Sequence, residues 1–321
     1  MNYCTYFDKN YLSRGLALYS SLLKNHKSRF HLYVIAFDMF TYSFMKKKNF
    51  RFITCIYHQD FEDNDLKKVK KKRSVVEYLW TCTPSIILFF LQKYKLKSCT
   101  YLDADIYFFS NPEIAYQNQK NYSVFITSHN YHPKYDQTET SGKYCVQYLT
   151  FKNNNMGLGV LKWWKKKCIK WCYNRVEGNK FGDQKYLDSW PEKFLGVEVA
   201  KHLGVGVAPW NAKRFKIKKK RKIFILENNK NYELVFYHFH DLKFIFNNKL
   251  AFLSSYDLGE DIKRLVYHPY IKKIISIEKK YNLHFTANQS KIDSNFLDIL
   301  IFYIKLSVKF VIYYKNFKNL Q

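Results

Sequence analysis

The sequence is short of acid. Asp and Glu together number 26 against 54 Lys and Arg, leaving a formal charge of +28 over 321 residues. A field of that sign repels cationic partners and attracts nucleic acid, anionic lipid or phosphorylated substrates. The seven cysteines are odd in number and have no framework spacing, so a disulfide scaffold is excluded. Cys168 and Cys172 lie four apart with no second Cys or His pair nearby, which argues for buried packing over zinc. Met1 leads straight into an apolar Asn2–Phe7 without a secretory leader, so reduced thiols in a cytoplasm are expected. No apolar run reaches membrane-spanning length, no internal repeat is present, and no nucleic-acid-binding module is recognisable.

What is present is ample core material. The chain is 47% hydrophobic, with 28 Tyr and 28 Phe, which excludes wholesale disorder. Asn2–Phe7, His31–Phe37 and Phe52–Tyr57 read as strands. They alternate with helical patterns at Tyr11–Leu23, where Leu12, Leu16, Tyr19 and Leu23 share a face, and at Tyr42–Lys48. This alternation predicts an α/β fold with a mostly parallel central sheet, flanking helices and further helices at the C-terminus. Residues 1–255 are read as the catalytic domain and 256–321 as a helical extension.

The basic run Lys67–Arg73 reads as a solvated linker or the start of a helix, and Lys216–Lys222 as a solvated loop. Ser74–Cys82 reads as one helix, and Thr83–Pro84 as the cap of a second, apolar helix through Ile86–Tyr94. Tyr122–Thr127, Tyr144–Phe151, Val205–Trp210 and Leu234–Phe239 are strand-like, while Leu158–Asn174 and Ile262–Tyr281 are helical. Asn295–Tyr314 reads as a basic, aromatic amphipathic helix, either docked on the protein or lying on an anionic membrane surface.

Three groups of residues point to chemistry. The apolar strand Ser98–Leu102 delivers Asp103-Ala104-Asp105, and Ile106–Phe109 continues it. Two aspartates one residue apart on a strand face the same side. Buried together they repel, so a hard cation such as Mn²⁺ or Mg²⁺, shared with substrate phosphates, is expected to neutralise them. His238 and His240 could complete its coordination, and spacing leaves open which does. Gly182–Asp183–Gln184 offers acceptors and donors suited to sugar hydroxyls, although a turn or cap role explains such a triplet equally well.

Tyr3–Leu12, Arg73–Pro84, Tyr101–Phe109, Phe181–Asp188, Ala208–Asn211 and Phe236–His240, taken in that order, resemble the GT-A nucleotide-sugar glycosyltransferases. The likeness is to the family 8 type and a related group of uncharacterised bacterial proteins, and it runs from about Met1 to Lys243. It implies that Thr5, Tyr6, Asp8, Asn10 and Tyr11 bind the base and ribose of a nucleotide, with UDP expected, and that Arg73 and Glu77 lie near the donor. It implies further that Asp103, Ala104 and Asp105 hold metal and ribose–diphosphate, with His238 or His240 as the third protein ligand. Asp183 and Gln184 would contact the transferred sugar, and Lys243 could serve the diphosphate. Cys145 departs from an expected Asn, and Asp241 from an expected Gly.

The resemblance implies a sugar donor bound as a nucleotide and a hydroxyl acceptor; the basic tail points to a glycan or lipid-linked acceptor and to a cytoplasmic protein with an optional peripheral contact at the inner face of the membrane, and the missing module to no specific nucleic acid. The residues alone also allow a two-metal hydrolase built on the same Asp and His residues. A basic nucleic-acid-binding protein is the third reading of the charge.

Overall fold

The computed structural model describes residues 1–117, 119, 121–245, 250–252, 255–283 and 311–313. Strands β1 (Asn2–Phe7), β2 (His31–Ala36), β3 (Ile53–Tyr57) and β4 (Ser98–Leu102) run parallel in the spatial order β3-β2-β1-β4. The chain continues through β5 (Ile106–Phe108), β6 (Val124–Ser128), β7 (Tyr144–Lys152) and β8 (Val197–Val199). β7 is antiparallel to both β4 and β6, and β8 is parallel to β6. The seven-stranded sheet β3-β2-β1-β4-β7-β6-β8 therefore has β7 alone reversed.

Both faces of this sheet are covered, as continuous apolar strands require. Alternate residues serve opposite layers. Tyr3, Leu32 and Val34 pack in one cluster with the helix α1 (Leu12–Asn25). Cys4, Tyr33 and Ile35 pack in the other with Ile86, Ile87, Phe90 and Trp164. Helix α2 (Met39–Lys48) is capped by Asp38, whose carboxylate also accepts from the Lys9 N–H at 2.6 Å and so ties the ends of β1 and β2. Tyr267, Tyr270, Ile271 and Ile274 join the same cluster as α1, so residues beyond 256 pack on this core.

After α3 (Asn64–Lys70), the structure corrects the expected break at Thr83–Pro84. A single helix, α4 (Val75–Lys93), runs through it, opened by a Ser74–Glu77 capping box. A proline inside a helix costs roughly 3 kcal/mol. Here Thr81, Cys82, Thr83, Pro84 and Ser85 are all buried, and that packing outweighs the loss. Joined in this way, Val75–Lys93 is long and apolar enough by composition to cross a membrane, contrary to the reading of two shorter helices. It is nonetheless largely buried within the protein, which is how a core helix passes the same test.

Two further expectations change. The basic run at 216–222 is not a loop: β9 (Lys216–Lys219), β10 (Ile223–Glu227) and β11 (Lys230–Glu233) form an antiparallel meander. Ile217 is buried between exposed Lys216 and Lys218, a period-two pattern hidden by the charge. The strand predicted at Val205–Trp210 reduces to a bridge between Val207 and Tyr237. β12 (Phe236–His238) pairs with β5. β13 (Lys243–Ile245), β14 (Leu250–Phe252) and β15 (Val311–Tyr313) form a fourth sheet. Most of the terminal helix expected at 295–314 lies outside the described residues, but 311–313 pair as a strand with β14, so helix does not hold there.

Replacing Ile87, fully buried on α4, with Ala should cost about 2–5 kcal/mol of stability. Urea denaturation measures it; a cost below about 1 kcal/mol would contradict the packing of α4 against the sheet.

Candidate functional site

The carboxyl ends of the parallel strands meet at one edge, where α/β sheets expose ligand-binding loops. There β4 ends at Leu102, and Asp103–Asp105 turn the chain into β5. The two aspartates are thus gathered by a turn, not by strand alternation as expected. The turn is fixed from three sides. The Asp103 N–H donates to the Gln147 carbonyl of β7 at 3.0 Å, the Ile106 N–H to the Asp103 carbonyl at 3.2 Å, and the Phe239 N–H to the Asp105 carbonyl at 3.0 Å. Pairing of β5 with β12 sets His238 opposite Ile106.

As a result His238 Nε2 lies 3.1 Å from Asp105 Oδ1 and 3.6 Å from Asp103 Oδ2. Ligand atoms of Asp103, Asp105 and His238 all fall within 4.8 Å of one another, and among the described residues they form the one group of three able to hold a metal ion. His240 lies just beyond β12, more exposed than His238, with its ring against Trp210 and 5.9 Å from the His238 ring, and it lines the cavity that opens beside the cluster.

The charges in this cluster are coupled. Burial and the neighbouring Asp105 raise Asp103, while the His238 charge opposes them. Burial also works on Asp105, but His238 and Arg14 outweigh it and bring its pKa to about 2. Burial disfavours a charged His238, yet Asp105 and Asp103 raise its pKa well above the usual value. Without a cation the imidazolium acts as the local positive charge. An incoming divalent ion must displace that proton, so its affinity rises with pH.

Beside the cluster opens a cavity of about 400 Å³, lined in part by Tyr6, Thr83, Asp103, Asp183, Gln184 and His238. Asp183 is 5% exposed. Burial first, and the charge of Asp103 second, push its pKa up to about 8. It is held there by its own backbone: the Asp183 carbonyl accepts from Trp164 Nε1 at 2.8 Å. The preceding Gly182 has φ of 53° with its Cα facing Trp80, where a Cβ would come within 3.1 Å of the ring. A side chain there would be strained by both backbone and contact. Gln184 is tied to the main chain, accepting from the Val146 N–H at 3.3 Å and donating to the Ser141 carbonyl at 2.9 Å.

The remaining predicted residues spread around this edge. Thr5 is buried on β1, and its hydroxyl has no partner among the described residues. Tyr6 meets Thr83 Oγ1 at 3.3 Å. Asp8 accepts from the Asn10 and Tyr11 N–H groups and starts the turn into α1. The charges of Asp105 and Asp103 reach the Tyr11 hydroxyl. Ala104 sits buried between the two aspartates. Lys243 pairs with Asp241 at 3.1 Å, and Asp241 adopts φ of 62°, the left-handed conformation that favours glycine at such a position. Arg73 is not among the residues lining the cavity: its guanidinium donates to Thr81 Oγ1 and, at 2.8 Å, to the Ile169 carbonyl. Glu77 Oε1 accepts from the Asn174 N–H at 2.9 Å.

Three contributors were not anticipated. Gln147, fully buried on β7, uses its carbonyl to hold Asp103 and its side-chain Oε1 to accept from His238 Nδ1 at 2.9 Å. That bond directs Nε2 at the aspartates, the usual way a ligating histidine is oriented. Arg14, 4% exposed, donates to the carbonyls of Asn10 and Leu242 and lends its charge to Asp105. His129, kept neutral by burial with a pKa lowered to about 3, stacks on Tyr131 and lines the cavity. Nothing in their local sequence marks these residues, because their partners lie far along the chain.

No protein-family model matches the chain. It is 28% identical over 258 residues to the uncharacterised protein YfnD of Bacillus subtilis (strain 168), spanning 78% of this chain and 81% of that one. It is also 28% identical over 256 residues to YfnF of the same organism, spanning 77% and 84%. Among solved structures, the galactosyltransferase LgtC in complex with donor and acceptor sugar analogues superposes with a TM-score of 0.53 at 12% identity, over 86% of this chain and 96% of that chain. An active-site mutant of LgtC gives a TM-score of 0.50 at 13% identity. The chain has the GT-A glycosyltransferase fold.

Gln147→Leu should weaken Mn²⁺ binding by about 10–100-fold while the circular dichroism spectrum is kept; calorimetric titration reads it, and unchanged affinity would remove Gln147 from the site. For Asp183, a carboxyl whose folded pKa of about 8 exceeds its unfolded value destabilises the fold increasingly as pH rises between the two. The unfolding free energy of the metal-free protein, read by urea denaturation, should therefore fall relative to Asp183→Asn between about pH 4 and pH 8, by an upper bound of about 5 kcal/mol. A difference independent of pH would mean that Asp183 is ionised throughout.

Proposed function

We propose that the chain transfers a sugar from a nucleotide diphosphate-sugar, with UDP as the expected nucleotide, to a hydroxyl of a glycan or lipid-linked acceptor. The observation that carries this reading is the Asp103–Asp105–His238 cluster opening onto a cavity that also contains the buried Asp183. The shared fold with a galactosyltransferase solved with donor and acceptor sugar analogues supports it.

A divalent cation, Mn²⁺ or Mg²⁺, fits the donor set. Two hard carboxylates that repel each other, joined by an imidazole already oriented by Gln147, suit such an ion completed by diphosphate oxygens. When bound, it supplies Lewis-acid stabilisation to the departing diphosphate. Thr5, Tyr6, Asp8, Asn10 and Tyr11 are assigned to the base and ribose, at the end of β1 beside the cluster. Ala104 offers main chain between the two carboxylates. Lys243 and the buried Arg14 add positive potential as phosphate charge grows.

Asp183 is the residue assigned to the transferred sugar, with Gln184 shaping the wall beside it. Held protonated, Asp183 donates to a sugar hydroxyl and is a poor acceptor for the proton of the incoming alcohol at neutral pH. A cation at Asp103 removes the part of the shift due to that charge and leaves the larger part due to burial. An orienting role is therefore favoured over general-base work. The two-metal hydrolase reading loses ground, since among the described residues a single three-ligand group is found.

A thermal-shift panel of nucleotide-sugars with Mn²⁺ or with EDTA tests the reading. One donor should raise the melting temperature by about 3 °C or more with Mn²⁺ and by little with EDTA. No stabilisation by any donor, or an equal one in Asp103→Asn, would overturn it. With that donor and its acceptor, Asp183→Asn should lower kcat by about 100-fold while donor affinity changes by less than about threefold. Loss of donor binding without loss of turnover would exclude the sugar-orienting role.

A further inference from the structure

Between the cavity wall at Trp210 and the imidazole at His238, the chain makes an excursion that contributes no residue to the lining of the cavity. This is the meander β9–β11. Its register decides which residues share a face. Lys216 lies opposite Leu226 and Lys218 opposite Phe224. Phe224 and Leu226 in turn lie opposite Glu233 and Asn231 of β11. Lys216, Lys218, Phe224 and Leu226 are therefore on one face, while Ile217 and Ile225 turn to the other and are buried in the core.

On the outward face Lys216 and Lys218 are exposed, and Phe224 and Leu226 are half-buried. The turn from β9 to β10 adds exposed Lys220 and Arg221. Acidic residues nearby are already engaged: Glu233 pairs with Lys222, and Glu227 with Arg214 at 2.5 Å. Among the described residues no carboxylate pairs with Lys216, Lys218, Lys219, Lys220 or Arg221. A strand-bound block of cations set directly against an aromatic and an aliphatic side chain is the arrangement that an interface of anionic headgroups and acyl chains accommodates. A soluble polyanion would satisfy the cations alone and leave Leu226 and Phe224 without a role.

We propose that the outer face of β9–β11 docks on a bilayer containing anionic lipid, with Lys216, Lys218 and the 220–221 turn at the headgroups and Phe224 and Leu226 at the acyl boundary. The docking goes beyond the glycosyl-transfer reading and does not depend on it, because neither donor nor cation enters the measurement below. Arg214, bonded to the Asn130 carbonyl at 3.1 Å and to Glu227, joins the meander to the loop that carries His129 and Tyr131. A docked meander would thus hold the cavity wall close to the membrane plane.

The test is co-sedimentation of the full chain with vesicles of phosphatidylcholine, with and without phosphatidylglycerol. Two variants remove equal charge: Lys216→Gln, Lys218→Gln, Lys220→Gln and Arg221→Gln together, against Lys67→Gln, Lys68→Gln, Lys71→Gln and Lys72→Gln together. The chain should bind the anionic vesicles only. The first variant should bind at least about tenfold more weakly, and the second should stay within about twofold of the parent. Phe224→Ser with Leu226→Ser should remove the binding that survives at high salt. Equal loss in both charge variants would overturn the proposal in favour of net charge, and undiminished binding in the meander variant would shift the contact elsewhere. Insensitivity to Phe224→Ser and Leu226→Ser, together with displacement of the vesicles by single-stranded RNA, would replace the bilayer with a nucleic acid.

Discussion

Two carboxylates held within reach of each other in a buried turn form a repulsive arrangement, and the carboxyl edge of the sheet is organised around containing it. His238 supplies the opposing charge, Gln147 fixes the ring that carries it, and Arg14 adds a second positive charge from α1. Each comes from a different strand or helix, so the tension is spread over the whole edge of the sheet. Two carboxylates and an imidazole gathered in this way form a donor set suited to a hard divalent cation. The same charges reach into the cavity, where Asp103 helps to keep Asp183 protonated.

The reversed strand β7 is central to this arrangement. Because it lies between β4 and β6, its Gln147 can offer a carbonyl to Asp103 on one edge and an amide to His238 above. Gly206, at φ of 91°, brings its backbone so close that a Cβ would sit 3.0 Å from Gln147 Nε2. Packing of that tightness leaves the glutamine little freedom, as an orienting group requires.

Much of this was legible in the residues. The alternation of apolar strands with amphipathic helices was enough to read the parallel sheet, and the Asp pair after an apolar strand marked the chemical edge. Several things were not legible, each for a physical reason. The Asp pair was read as strand because its neighbours are apolar, whereas hydrogen bonds from β7 and from Phe239 bend it into a turn. Pro84 was read as a boundary from local preference alone, which burial on both sides overrode. β9 was masked by its lysines. Gln147 and Arg14 carry no local signature at all, since their value depends on partners 91 and 228 residues away.

Those separations have a consequence for the protein as it is made. The cluster needs Asp103 and His238, which meet only once β12 has paired with β5. A chain still emerging from the ribosome can complete β1 to β4 and expose both aspartates well before the histidine exists. Contacts of such long sequence separation form late. A nascent chain therefore cannot bring Asp103, Asp105 and His238 together until nearly the whole sheet, the meander included, has been synthesised and closed.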